Sequence, residues 1–168
     1  MSTARPLINI IGAGQLGQTL ARLWQDNQQL QVQQILTRSL ESAQRAHQFI
    51  GSGEPCCRVS ALKPAQIWLI ATPDRELTET ASALAHDAPI NSGDLVFHCS
   101  GALSSEILAP LQRLGALTAS VHPIHSFASP TSSILSFHGS YCASEGDYQA
   151  LAPLHELFEG IGGRCFKL

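Results

Sequence analysis

The stretch Leu7-Ile8-Asn9-Ile10-Ile11-Gly12-Ala13-Gly14-Gln15-Leu16-Gly17 decides how the rest of the chain is read. Leu7 to Ile11 is an apolar run of strand length that ends directly in a glycine turn. Beyond the turn, Leu16, Leu20, Leu23 and Trp24 recur at i, i+4, i+7 and i+8, which is one face of a helix. A G-x-G-x-x-G pattern carries meaning only where it closes a strand and opens a helix, and it stands in that place here. Gly12 allows the sharp turn, Gly14 leaves room for an approaching pyrophosphate, and Gly17 lets the helix pack close to the strand. The helix start near Gln15 and Leu16 offers free N–H groups and a partial positive charge to phosphate oxygens. Gly12, Ala13, Gly14, Gln15, Leu16 and Gly17 are therefore the predicted pyrophosphate-binding residues.

Working outward, short apolar runs alternate with helical-period segments. That alternation predicts an α/β fold, a Rossmann-type doubly wound, mostly parallel sheet with helices on both faces. Val32 to Leu36 is the second strand. Ser39 is placed to cap a helix with Leu40, Ala43, Ala46 and Ile50 inward, ended by Gly51-Ser52-Gly53. Ile67 to Ala71 is apolar on both faces, as a central parallel strand should be. Asp74 is placed to cap the helix carrying Leu77, Ala81, Leu84 and Ala85. Leu95 to His98, Leu117 to Val121 and Tyr141 to Ala143 read as strands. Between the first two, a helix is expected from Ser104 or Ser105 through Ile107, Leu108, Leu111 and Leu114, capped by Gly115. A last helix carries Leu151, Leu154, Leu157, Phe158 and Ile161, with Pro153 expected to kink it or delay its start. The ending Arg164-Cys165-Phe166-Lys167-Leu168 reads as a strand barely begun, which suggests a larger protein cut at a domain boundary.

The end of the second strand selects the nucleotide. An NAD site places Asp or Glu there to accept bonds from the ribose hydroxyls. This chain has Thr37-Arg38-Ser39 instead. Arg38 can pair with a 2′-phosphate through its fork of donors, and Thr37 and Ser39 can add hydrogen bonds. The expected cofactor is NADP(H) in preference to NAD. Ala71-Thr72-Pro73, at the carboxyl end of the central strand, would form a further wall against the pyrophosphate or the nicotinamide ribose.

Two later loops also leave strand ends: His98-Cys99-Ser100-Gly101, and Val121-His122-Pro123-Ile124-His125-Ser126-Phe127. Ser100 could hydrogen-bond a substrate oxygen and His122 or His125 could move a proton, since imidazole titrates near neutrality. Ser100 and His122 are the candidate catalytic pair. Strand-end histidines also commonly just satisfy backbone groups. His98, Cys99, His122 and His125 are ligand types for zinc, but not at a recognised spacing, so no metal site is expected. Ser100 with His122 lacks the acid and the elbow of a hydrolase.

Composition excludes other classes. The chain has 168 residues, enough for one domain with a hydrophobic core. A net charge of −3 without a Lys/Arg cluster excludes the usual nucleic-acid footprint. No apolar run approaches the roughly 20 residues of a membrane span, and the N-terminus does not read as a signal peptide. A cytoplasmic location is expected. Five cysteines in no CxxC spacing read as free thiols. Only 14% of residues are charged, against about 25% in soluble domains, so either the core is large or some surface normally packs against another body.

The motifs also match a family. Ile11-Gly12-Ala13-Gly14-Gln15-Leu16-Gly17, Ala71-Thr72-Pro73-Asp74, His98-Cys99-Ser100-Gly101-Ala102-Leu103, Ala119-Ser120-Val121-His122-Pro123-Ile124-His125-Ser126-Phe127 and Glu145-Gly146-Asp147 run along nearly the whole chain in order. Together they resemble the N-terminal half of a bacterial Rossmann-like family that carries a domain of unknown function 2520. That family looks like a branch of the 6-phosphogluconate dehydrogenase-like and pyrroline-5-carboxylate reductase-like oxidoreductases, and Thr37-Arg38-Ser39 resembles the NADP-selecting segment of the reductases. The resemblance implies an NADP-dependent oxidoreductase acting on a small molecule, with residues 1–168 as its cofactor-binding domain. It also implies a second, helical domain that makes a homodimer, closes the substrate pocket and supplies the catalytic lysine or its equivalent. Lys167 is not that lysine, and this piece alone is expected to bind cofactor and turn over little. The alternative expectation is a non-catalytic NADP-binding sensor or interaction module.

Overall fold

The computed structural model describes residues 3–168. The apolar run Leu7–Ile11 forms strand β1, and the glycine turn leads into helix α1 (Gln15–Asp26). There follow β2 (Gln31–Leu36), α2 (Leu40–Ile50), β3 (Glu54–Cys56), β4 (Ile67–Ile70), α3 (Asp74–Asp87) and β5 (Leu95–His98). The chain continues through α4 (Ala109–Gln112), β6 (Leu117–Pro123), α5 (Pro130–Ser136), β7 (Tyr141–Gly146), α6 (Tyr148–Glu159) and β8 (Arg164–Lys167). Eight strands make one sheet in the order β3-β2-β1-β4-β5-β6-β7-β8. Every neighbouring pair is parallel except β6 with β7. This is the doubly wound order, with the chain leaving β1 in one direction for β2 and returning on its other side as β4.

Alternation along the strands builds a core on each face. Ile8, Ile10, Leu69 and Phe97 pack under α1, α2 and α6. Trp68, Ile70 and Val96 pack under α3 and α4. Trp24 on α1, Phe97 on β5 and Phe158 on α6 meet edge to face, with ring centroids 5.3–6.2 Å apart. The indole N–H of Trp24 donates to Leu157 O at 3.0 Å, so the one polar atom of that buried ring is paired.

Several expectations need correcting locally. The helix expected from Ser104 or Ser105 to Leu114 is instead a 3₁₀ turn over Ser105–Leu108 followed by the single turn of α4. Pro110 has no N–H to return to the Glu106 carbonyl, and it stands in the first turn of α4, where that N–H is not needed and a new helix starts. Asp74 is the first residue of α3 rather than its cap; Pro73 takes the cap position and no side chain caps the helix. Ser39 caps α2 as expected, its hydroxyl accepting from Ser42 N–H at 3.2 Å, and Gly51 ends that helix. Pro153 neither delays nor ends α6, which starts five residues earlier at Tyr148. The ring lies on the exposed side, and water can serve the Gln149 carbonyl it leaves unpaired. The C-terminal segment forms a four-residue strand in register with β7.

Candidate functional site

Ligands of open α/β sheets bind where the strand order reverses, outside the carboxyl ends of the strands. Here that point lies between β1 and β4, and a cavity of about 940 Å³ opens there. The glycine turn forms its floor. Gly12 sits at φ +87°, and a Cβ there would lie 2.8 Å from the backbone of Ala71 and Thr72. At Gly17 a Cβ would meet Gly12 O at 2.7 Å, so this glycine sets how closely α1 packs on the turn. A Cβ at Gly14 would meet nothing within 4 Å. Its bare Cα faces the cavity. The three glycines thus divide into two the fold requires and one that leaves open space.

The start of α1 is left uncapped. Its first turn carries no acid, and no side chain caps it. The N–H groups of Gln15, Leu16 and Gly17 belong to that first turn, where a helix has no acceptor of its own. Gln18 Nε2 donates back to Ala13 O at 2.8 Å and holds the loop shape without occupying those donors. Across the crevice, Thr72 Oγ1 is enclosed and has no hydrogen-bond partner among the described residues. A buried unpaired hydroxyl costs about 1–3 kcal/mol, so a ligand oxygen at this place would satisfy it.

At the far end of the cavity stand Thr37 and Arg38 from the β2–α2 turn and Ser42 from the first turn of α2, with Arg75 and Glu76 at the start of α3. Arg38 is ion-paired with Glu76, and Arg75 Nε lies 3.6 Å from the same carboxylate. Arg38 remains 80% exposed, so its guanidinium is reachable from solvent. Thr37 Oγ1 donates to Ser39 O at 2.7 Å, and Ser39 Oγ is committed to the α2 cap. These two hydroxyls shape the turn; the cationic donors at this end are on the two arginines beside Glu76.

The loop after β5 forms the opposite end, where Cys99, Ser100 and Phe127 line the cavity. His98 is fully buried beneath it. Ser100 N–H donates to His98 Nδ1 at 3.1 Å, so the ring proton sits on Nε2, which donates to Ser104 O at 3.1 Å. Burial pushes the His98 pKa below its ordinary value, keeping the ring neutral in this bridging role. Ser100 Oγ accepts from the N–H groups of Ala102 and Leu103 at 3.1 and 3.2 Å, which leaves its own proton free to donate outward. Burial likewise pushes the Cys99 thiol up, so the wall beside Ser100 carries no thiolate charge.

The other two histidines of these loops, His122 and His125, stand outside the cavity wall. His122 Nδ1 is 3.2 Å from Cys99 O, and its ring lies against Gly101, where a Cβ would come within 2.6 Å of Nε2. His125 is held at both nitrogens, by Ser140 Oγ at 3.0 Å and Ser136 Oγ at 3.2 Å, and packs on Phe127. Glu145 and Asp147 are also anchors. Glu145 accepts from Ser105 N–H and Oγ–H at 2.6 and 2.7 Å, and Asp147 accepts from Thr118 N–H at 2.7 Å.

Of the sequence-predicted residues, Gly12, Ala13, Gly14, Gln15, Leu16, Thr37, Arg38, Ala71, Thr72, Pro73 and Ser100 line one cavity. Gly17, Ser39 and His122 stand just behind its wall. Arg75 and Glu76 were not anticipated, although they directly follow the Thr72-Pro73-Asp74 turn and so fall at the same sheet edge.

This sheet order with its glycine turn defines a Rossmann-type domain. The chain belongs to the Rossmann-like domain family, whose profile matches residues 1–123. No curated protein sequence matches it significantly. Among solved structures it is similar to BF3122 from Bacteroides fragilis, a proposed NADP oxidoreductase, at 17% identity and TM-score 0.83, over 98% of this chain and 61% of that one. Protein TM1727 from Thermotoga maritima aligns at 27% identity and TM-score 0.70, over 96% of this chain and 56% of that one. The prephenate dehydrogenase of Aquifex aeolicus, in complex with hydroxyphenyl propionate and NAD+, aligns at 17% identity and TM-score 0.77, over the whole of this chain and 61% of the enzyme. The chain therefore spans about three fifths of the length of these relatives. Among the described residues no helix is long and apolar enough to cross a membrane.

Proposed function

We propose that this chain is the NADP(H)-binding domain of an oxidoreductase acting on a small carbonyl, alcohol or imine compound. The observation that carries the reading is the cavity at the β1–β4 reversal, with an uncapped helix start, open space over Gly14 and an unpaired Thr72 hydroxyl in one wall. The residues present fit a nicotinamide dinucleotide. The N–H groups of Gln15 and Leu16 would bind the pyrophosphate over Gly14, and Thr72 Oγ1 would donate to a cofactor oxygen. When bound, the cofactor supplies the hydride chemistry; the protein's part is to hold and orient.

Arg38 carries the preference for NADP. Its ion pair with Glu76 is open to solvent on the Arg38 side, where such pairs are worth about 0–1 kcal/mol, and Arg75 stays beside the half-buried carboxylate when Arg38 leaves. A charge-assisted bond to a 2′-phosphate is worth about 1.5–3 kcal/mol, so the phosphate can draw Arg38 from Glu76. The relatives fall on both sides of this choice: the Bacteroides protein is a proposed NADP enzyme and the Aquifex enzyme holds NAD+.

At the other end, Ser100 is the group that would donate to a substrate oxygen. His122 would move the proton, its Nδ1–H on the Cys99 carbonyl leaving Nε2 as the reactive nitrogen. To work there, Nε2 must reach past Gly101, against which the ring now lies. Ser100→Ala and His122→Ala, in a protein that turns over, should lower kcat while sparing NADPH affinity. Wild-type rates in both variants would return these residues to purely structural roles and leave cofactor binding as the domain's activity, as expected of a sensor or interaction module.

A further inference from the structure

A second cluster of chemically competent side chains lies at the β8 edge of the sheet, away from the cavity. His155 and Glu159 stand i, i+4 on α6 and so share one helix face. Cys165 lies on β8, in register with the fully buried Cys142 of β7. Residues paired across adjacent strands point to the same face, so Cys165 faces the side that α6 covers. One ligand-capable atom from each of His155, Glu159 and Cys165 lies within 4.8 Å of the other two. We propose that these three side chains form a binding site for one divalent cation of the zinc class, which clamps α6 to the last strand.

Three features support this site. The donor set is thiol, imidazole and carboxylate, and a bound metal deprotonates the thiol that Cys142 and burial otherwise keep protonated. Such a set suits a borderline-soft transition-metal ion, whereas magnesium and calcium take oxygen ligands. Zinc bonds of about 2.0–2.3 Å in a tetrahedron place their donors about 3.3–3.7 Å apart, so closing the site needs only about an ångström of side-chain movement. The fourth position would be open to water.

The second feature is the orientation of the imidazole. His155 Nε2 is 2.7 Å from Ser144 Oγ, and that hydroxyl donates to Phe166 O at 3.2 Å. With Nε2–H donating to Ser144, Nδ1 keeps its lone pair for a metal. A hydrogen bond of this kind on the second nitrogen is what fixes the tautomer of ligating histidines.

The third is the joint between helix and strand. Gly162 N–H donates to Glu159 O at 3.0 Å and Gly163 N–H to Phe158 O at 2.9 Å, so the turn between the ligands is already fixed. The basic residues flanking Cys165 are engaged on aromatic rings, Arg164 over Tyr141 at 5.7 Å and Lys167 over Tyr148 at 5.9 Å. Sequence spacing gave no sign of the site, because its ligands come from a helix and a strand and follow no CxxC pattern.

The test is a cobalt(II) titration of the chelator-treated chain of residues 1–168, followed by absorption, with zinc(II) as competitor. The expected result is one equivalent bound, with a thiolate-to-cobalt charge-transfer band that zinc abolishes. Cys165→Ser should remove the band, and His155→Gln and Glu159→Gln should each weaken binding at least tenfold. Cys57→Ser, at an exposed thiol elsewhere, should change nothing. Thermal unfolding of the metal-free variants confirms that they are folded, and Glu159→Gln, at an exposed position, carries the test if Cys165→Ser does not fold. A wild-type chain with no thiolate band, a band that survives Cys165→Ser, or unchanged affinity in Glu159→Gln would overturn the proposal.

Discussion

Substituting alanine at each of the three turn glycines separates what the fold needs from what the ligand needs. At Gly14 the backbone lies at φ −77°, which any residue adopts, and a Cβ would meet nothing within 4 Å. Gly14→Ala should therefore change unfolding stability by no more than about 0.5 kcal/mol, as for an uncontacted surface position. Gly12→Ala differs on both counts. Its φ of +87° adds about 1–2 kcal/mol of backbone strain. Its Cβ would lie 2.8 Å from rigid backbone atoms of β4's end, an overpacking of about 1–3 kcal/mol. The sum, about 2–5 kcal/mol, should lower Tm by roughly 4–20 °C in a domain of this size. Gly17→Ala should fall between them, because the clash with Gly12 O is offset by about 1 kcal/mol of helix propensity. Binding should invert the order. Gly14→Ala, fully folded, puts a methyl where the pyrophosphate must approach and should cost at least tenfold in NADPH affinity, about 1.4 kcal/mol. Urea unfolding and titration calorimetry on the same samples measure both quantities. A folded Gly14→Ala that binds NADPH like wild type would refute the assignment of that space to the cofactor.

Other substitutions probe the same account. Arg38→Ala should weaken NADPH by about 1–3 kcal/mol and leave NADH nearly unchanged; equal losses in a calorimetric comparison would remove the selectivity argument. Thr72→Val should leave the free protein as stable as before or up to about 1 kcal/mol more so, since the lost hydroxyl has no partner, yet should reduce NADPH affinity. Undiminished affinity would show that the Thr72 hydroxyl does not bind cofactor. His98, buried and neutral, has a folded pKa below its ordinary value of 6.5, so the unfolded chain takes up that proton more readily. Its contribution to stability is full above about pH 6.5 and is lost as pH falls below it. His98→Gln should flatten this slope in urea unfolding between about pH 7 and 5; an unaltered slope would mean that His98 is not its source. Asp147→Ala strands the buried Thr118 N–H and should cost about 1.5–3 kcal/mol in the same assay.

The parts that the sequence disclosed share one property: their signal is local. Leu7 to Gly17 carries strand period, turn glycines and helix period side by side, and the glycine-turn floor of the cavity follows from it. Ile67 to Asp74 is similar. What stayed hidden depended on partners far along the chain. Strand β3 is three residues long and holds Pro55, so it shows no alternation, and only pairing with β2 makes it a strand. Helix α5 had a readable start, Ser129 followed by Pro130, but its body Thr-Ser-Ser-Ile-Leu-Ser offers too short an apolar face to register. The antiparallel turn of β7 against β6 leaves no mark in either strand's own residues.

The histidine loops were visible as motifs, but their roles were not. His98 and His125 proved to be bracing groups because serine hydroxyls and backbone atoms occupy both ring nitrogens. The Glu145-Gly146-Asp147 stretch is likewise an anchor for the β5–α4 loop and for β6. Glu76, whose carboxylate meets Arg38 across the crevice, could be found only once α3 and the β2–α2 turn were placed together.

The most direct test of the central claim is a calorimetric titration of residues 1–168 with NADPH and NADH in parallel. The account predicts one-to-one binding of NADPH that is at least tenfold tighter than that of NADH, with the difference abolished by Arg38→Ala. Binding of neither nucleotide, or a preference for NADH, would contradict it.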